Sequence, residues 1–149
     1  MNKALLAWAA GFIDGEGTIS MYRGNRGKSR ADDYFIKLCA VNTYLPSLER
    51  LQLMFGGSIQ SSRSKDCPYG QDWKPAFNWS LGPKATEVTL KLLRPYIFIK
   101  RSQLELALGA RSLVKKQGCG PGYKRSQQEI KKAEHFIKKF RNLNKKGKG

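Results

Sequence analysis

The chain has 149 residues, enough for one domain or at most two small ones, and a globule of this size buries roughly 68–70% of its unfolded surface without needing staples. Lys and Arg total 28 against 11 Asp and Glu, a formal charge of +17, while 40% hydrophobic and 11% aromatic residues argue against intrinsic disorder. An excess of that size implies a polyanionic partner, nucleic acid before an anionic membrane surface.

The charge is spread unevenly. Residues 115–149 carry 12 basic residues against Glu129 and Glu134, and residues 1–114 carry 16 against 9 acids. The tail is the most basic part, but the body is basic as well. Cys39, Cys67 and Cys119 form no C-x-x-C pair, and with the single His135 they give no zinc-finger spacing. They read as free thiols in a reducing compartment, which places the protein inside the cell.

Asn2 is a helix cap for a segment running to about Asp14, which Gly15 and Gly17 end. The apolar run Ala4 to Ile13 resembles a signal peptide, but its A-x-A site lies inside the run and Asp14 and Glu16 follow at once. This argues against secretion, and the run is too short to span a bilayer. Leu5, Trp8 and Phe12 share one helix face, and Leu6, Ala10 and Ile13 share another. Ala7, Gly11 and Gly15 form a third stripe, small enough for another helix backbone to approach closely.

Thr18–Arg23 reads as a strand, followed by a basic loop over 24–30 and a second strand over Tyr34–Thr43. Pro46 opens a helix to Phe55, closed by Gly56-Gly57. Ser58–Arg63 and Lys74–Leu81 read as the third and fourth strands, separated by a loop containing Pro68 and Gly70. Helices are expected from Pro83 to about Arg94, from about Ser102 to Val114, and from Ser126 to about Asn142. The order α-β-β-α-β-β-α-α-α is an α+β arrangement: a four-stranded antiparallel sheet with helices on one face, leaving the other face free. Ser20 and Tyr22, Gln60 and Ser62, and Asn78 and Ser80 alternate with apolar neighbours, as a free polar face requires. In the second strand only Lys37 is clearly polar, so its register stays open.

Ala9-Ala10-Gly11-Phe12-Ile13-Asp14-Gly15-Glu16-Gly17 resembles the LAGLIDADG motif of homing endonucleases. Gly11 and Gly17 match, as do Ala10, Ile13 and Asp14. Phe12, Gly15 and Glu16 are common variants, and Ala9 stands in place of the usual Leu. Asn42-Thr43 with the helix ending Phe55-Gly56-Gly57-Ser58-Ile59 looks like the family's second strand and following helix. Leu93 to Lys100 looks like the segment bearing its active-site lysine. The resemblance covers roughly residues 5–114, so 1–114 is expected to be the endonuclease core, with the αββαββα fold, and 115–149 a basic loop and helix added to it.

What the resemblance implies is a site-specific, Mg²⁺-dependent DNA endonuclease that cuts across the minor groove, leaves short 3′ overhangs and serves intron or intein mobility. Glu16 is then the metal ligand, joined by the Gly15 carbonyl, at a helix end whose carbonyls are unpaired and partly negative. Asp14 takes a structural role at the helix end. Lys100 is either a surface lysine or a cation that neutralises charge in the transition state. Asn42 is either polar support for the site or a strand-end residue that caps the next helix. One chain supplies one such carboxylate, which implies a homodimer crossing on Ala7, Gly11 and Gly15 and a near-palindromic double-stranded site. Ser20, Tyr22, Lys37, Gln60, Ser62, Asn78 and Ser80 are candidates for base edges. Arg23, Arg26, Lys28, Arg30, Arg63, Lys65 and Lys74 suit phosphates or guanines. Two rivals share the fold: an intron RNA maturase, and a regulator that binds DNA without cutting it.

Overall fold

The structure, a computed structural model, describes residues 2–24, 33–61, 75–114 and 125–145. Its elements are α1 (Lys3–Glu16), β1 (Gly17–Gly24), β2 (Asp33–Asn42), α2 (Leu45–Phe55), β3 (Ser58–Ser61), β4 (Phe77–Ser80), α3 (Pro83–Leu93), α4 (Arg101–Gly109), α5 (Arg111–Val114) and α6 (Gln127–Asn144). The αββαββα order expected from the sequence is present. The strands form one four-stranded antiparallel sheet in the order β1-β2-β4-β3. The chain divides into two compact units, Met1–Thr18 with Leu38–Phe98, and Ile19–Lys37 with Ile99–Gly149.

In the first unit Asn2 caps α1 as expected, its Oδ1 accepting the Ala4 N–H at 2.9 Å. The register that the sequence left open in β2 is settled by burial. Tyr34, Ile36, Leu38 and Ala40 are buried, and Lys37 shares the more open face with Phe35, Cys39 and Val41. Cys39 is in no disulfide among the described residues, and its thiol donates to the Thr18 carbonyl at 3.9 Å; Cys67 and Cys119 lie outside the described residues. β4 is described from Phe77, preceded by Pro75, which cannot donate to a central ladder; the expected start at Lys74 lies outside the described residues. Trp79 is fully buried at the centre of this strand, opposite Ala40 on β2 and Ile59 on β3.

Gly56 and Gly57 do more than end α2. Both take positive φ, 76° and 92°, and the Gly56 carbonyl accepts the Trp79 indole N–H at 2.9 Å. A Cβ on Gly57 would stand 2.5 Å from the Ser80 carbonyl oxygen and 2.8 Å from Leu81 Cδ2, whereas one on Gly56 meets nothing within 4 Å. Gly57→Ala is therefore expected to cost about 2–4 kcal/mol, from strained backbone plus overpacking. Gly56→Ala, which carries the backbone strain alone, costs about 1–3 kcal/mol. Urea unfolding of the two variants side by side checks the ranking.

In the second unit the helix expected over Ser102–Val114 is broken. α4 stops at Gly109, and Ala110 makes a turn in which its carbonyl accepts the Leu113 N–H at 3.0 Å, an i→i+3 bond that tightens the chain before α5. α6 opens on a full capping box: the Glu129 N–H donates to Ser126 Oγ, and the Ser126 N–H donates to Glu129 Oε2. Ala133, Ile137 and Phe140 are its buried stripe. Gln103 Nε2 donates to the Leu143 carbonyl and Asn144 Nδ2 to the Ile19 carbonyl, tying the end of α6 to α4 and to β1. Arg125, almost wholly buried, donates to the Leu113 carbonyl at 2.9 Å, lies over the Tyr34 ring and faces Asp33 at 3.8 Å. A buried guanidinium is tolerable only with partners of this kind.

Candidate active site

The site expected from the sequence starts at the C-terminal end of α1. The Gly17 N–H donates back to the Ile13 carbonyl and closes the helix. The carbonyls after Ile13 have no helical donor left, so the end of α1 presents bare oxygens. Gly17 must be glycine for a steric reason, since a Cβ there would lie 2.6 Å from the Ile13 carbonyl oxygen.

The two acids here have opposite surroundings. Asp14 is buried, and its Oδ2 accepts the Phe98 N–H at 2.7 Å across 84 positions of sequence. The chain reaches that point because Tyr96 and Ile97 both donate to the Leu93 carbonyl after Pro95 ends α3, and Ile97 buries its side chain. Asp14 is thus the structural acid that the sequence suggested, holding the chain as it leaves α3. Its partner was invisible in the sequence, because nothing local marks a backbone amide 84 residues away. Glu16 and Gly15, by contrast, are both exposed. A carboxylate beside a bare helix-end carbonyl in water is the donor set that a hard divalent cation takes, oxygen only and with room for waters. No group of three His, Cys, Asp or Glu able to hold a metal occurs among the described residues.

Asn42 accepts the Tyr44 N–H at 2.8 Å through its Oδ1, a local Asx turn; Tyr44 is itself the N-cap of α2 and no side chain caps that helix, so Asn42 does not take the helix-capping role that was expected as one alternative. Its amide nitrogen is not engaged by that bond. Lys100, in the second unit, is half-buried at the N-cap of α4 and does not use its side chain to cap the helix.

The small stripe is open. Ala7, Gly11 and Gly15 are all exposed, and a Cβ on Gly11 or Gly15 would meet nothing within 4 Å. The same unit leaves several large apolar side chains uncovered: Leu53 on α2 (89% exposed), Val88 on α3 (59%) and Phe98 (88%).

The open sheet face of the first unit presents Gln60, Asn78 and Val41 in one cross-strand row, and Ser58, Ser80 and Cys39 in the next. Gln60 is exposed, whereas Asn78 and Ser80 on the central strand are half-buried. Asn78 Oδ1 is buried with no hydrogen-bond partner among the described residues. In the second unit Tyr22 is 45% exposed and stacks on Phe35, Ser20 and Lys37 are half-buried, and Arg23 pairs with Glu134 at 3.6 Å. Arg26, Lys28, Arg30, Ser62, Arg63, Lys65 and Lys74 lie outside the described residues.

No family model and no curated protein matches this sequence. Solved structures do match its fold. A homing endonuclease named I-CvuI, in complex with DNA, aligns at a TM-score of 0.75 and 20% identity over 99% of this chain and 86% of its own. The archaeal intron-encoded homing endonuclease I-Vdi141I, complexed with DNA, aligns at 0.70 and 15% identity over 95% and 85%. The LAGLIDADG homing endonuclease I-LtrWI, bound to target DNA, aligns at 0.68 and 17% identity over 93% of this chain but 44% of its own. The chain therefore has the fold of the LAGLIDADG homing endonucleases.

Proposed function

We propose that the chain is a site-specific double-strand DNA endonuclease, acting inside the cell as a homodimer with a divalent metal. One observation supports this above the others: the uncovered stripe Ala7-Gly11-Gly15 runs straight to an exposed carboxylate at Glu16. A stripe of small residues brings two backbones close, and Glu16, the one exposed acid at its end among the described residues, needs a second copy to complete a charged site. The fold-mates I-CvuI and I-Vdi141I are DNA complexes, and a chain of formal charge +17 suits the same ligand. Residues 1–114 form the endonuclease core in this reading, and the basic 115–149 extends it. Two copies present two sheets to a near-palindromic site, and mobility of the host intron or intein is the biological role.

Glu16 and the Gly15 carbonyl are the groups that would hold Mg²⁺, sharing it with the scissile phosphate. When bound, the metal polarises that phosphate and makes an attacking water more acidic. In this reading Lys100 has the role that the resemblance gives it, a cation that neutralises charge in the transition state. Asn42, its amide oxygen fixed by Tyr44, keeps its amide N–H groups for a nearby oxygen. On the sheet, Ser20, Tyr22, Lys37, Gln60, Asn78 and Ser80 are the side chains this reading assigns to base edges, and Arg23, which pairs with Glu134 in the free chain, would have to leave that pair to meet a phosphate. No helix of the described residues is long and apolar enough to cross a membrane.

The test is Mg²⁺-dependent cleavage of a randomised duplex library, with sedimentation of the free protein beside it. A dimer that cuts a small set of near-palindromic sequences supports the reading. Steeply salt-dependent duplex binding without cleavage at any metal concentration replaces it with a DNA-binding regulator.

A further inference from the structure

We infer that α6 carries a second nucleic-acid surface, a sequence-independent dock for the phosphate backbone of the duplex flanking the recognised site. The inference rests on the DNA-binding reading above and extends it to a helix outside the motif-bearing core.

Lys131, Lys132, Lys138, Lys139 and Lys145 are all exposed along α6 and its C-cap, and none is in an ion pair among the described residues. Lys131 and Lys138 stand two helical turns apart, about 10 Å along the axis, and Lys145 continues the row. The two acids of the helix do not dilute it. Glu129 is taken up in the capping box, and Glu134 faces Arg23 at 3.6 Å. Unpaired like charges on one face repel each other, a cost that an external polyanion removes.

The occupant can be narrowed. A basic amphipathic helix is also the signature of membrane-surface binding, but that mode needs a free apolar face. Here Ala133, Ile137 and Phe140 are buried in the protein's own core, which leaves Leu143 as the one exposed large apolar side chain of the helix, too little for a membrane-binding face. Lysines with mobile stems suit phosphates as point charges and read no base. The contacts of Glu134 with Arg23 and of Asn144 with the Ile19 carbonyl lay α6 alongside β1, with Glu134 nearest the strand's last residues, from which the sequence continues to Arg26, Lys28 and Arg30. The lysine row thus adjoins, within one unit, the strand end proposed to meet DNA. A duplex whose flank runs beside β1 is the polyanion that reaches the lysines of α6.

The experiment combines Lys131→Gln, Lys138→Gln and Lys139→Gln in the full chain. Glutamine has nearly the same helix propensity and these positions are exposed, so the melting temperature serves as the control for folding. Binding to short and long duplexes of arbitrary sequence is measured from about 0.05 to 0.2 M salt. Loss of three phosphate contacts is expected to flatten the log–log salt slope by about 2.7 and to weaken long-duplex binding on the order of 10- to 100-fold at low salt. A duplex too short to reach past the core loses much less. An unchanged slope with an unchanged melting temperature overturns the inference, as does a loss confined to structured RNA. A wild-type chain that binds no duplex at all fails at the earlier step and removes the endonuclease reading itself.

Discussion

Replacing Glu16 with glutamine is expected to lower strand cleavage by about a thousandfold or more while leaving duplex affinity unchanged or slightly tighter. Glutamine keeps the shape of glutamate and loses its charge. A neutral amide oxygen is a poor ligand for a hard dication, so the substitution removes the ligand that the proposed endonuclease would use to hold its metal. Loss of a single preorganised electrostatic group commonly costs 10²–10³ in rate, and loss of the metal's charge costs more, hence about 10³ as the lower figure. Affinity does not fall, because a carboxylate near phosphate repels the ligand. Folding is untouched, because Glu16 is exposed and α1 is closed by the Gly17 amide rather than by the Glu16 side chain. Asp14, two residues away, supplies the contrast. It is buried and accepts a 2.7 Å bond from Phe98, so Asp14→Ala is expected to lower stability by about 1.5–3 kcal/mol, in a urea titration with no metal present. Equal cleavage by wild type and Glu16→Gln would make Glu16 a solvated turn residue and end the catalytic assignment.

The pairing of these two acids shows how far the sequence can be read. Glu16 and Gly15 are legible because the motif is contiguous: nine residues carry a helix end, its breaker glycine and the acid. The exposure of Ala7, Gly11 and Gly15 follows from the same helical spacing. What joins distant segments is not legible. Nothing in the neighbourhood of Phe98 announces that its amide is the donor for Asp14, and nothing near Gly56 announces that its carbonyl is where Trp79 ends. Those are tertiary contacts, set by how elements pack and not by local propensity. The break between α4 and α5 lies between these cases. Gly109 is visible, but a glycine within a helical pattern does not by itself show that the chain turns there. The open face of the sheet is a further mixture. Alternation correctly placed Tyr22 and Gln60 outside, but a central strand shades its own polar residues, so Asn78 and Ser80 are half-buried between flanking rows.

Gly11 is where the dimer can be tested with a sign as well as a size. In a single chain a Cβ on Gly11 meets nothing within 4 Å, so Gly11→Ala relieves the entropic cost of a helical glycine and is expected to raise protomer stability by about 0.5–1 kcal/mol. If two α1 helices cross on this stripe, the same methyl group enters the gap between two backbones. The symmetric interface carries the substitution twice, and overpacking of about 1–3 kcal/mol per site multiplies the dimer dissociation constant by roughly 30-fold or more. Gly11→Leu should separate the copies almost completely. Cleavage should then fall with dilution in step with dissociation, and for Gly11→Ala it should return at high protein concentration, because each Glu16 is intact and lacks only its counterpart. Urea unfolding at high dilution reads the stabilising half of this effect, and sedimentation equilibrium reads the destabilising half. A structural glycine gives one sign in both. Only a glycine reserved for a second copy makes the isolated chain more stable and the assembly weaker, so dimerisation unaltered by Gly11→Leu would place the interface somewhere other than α1.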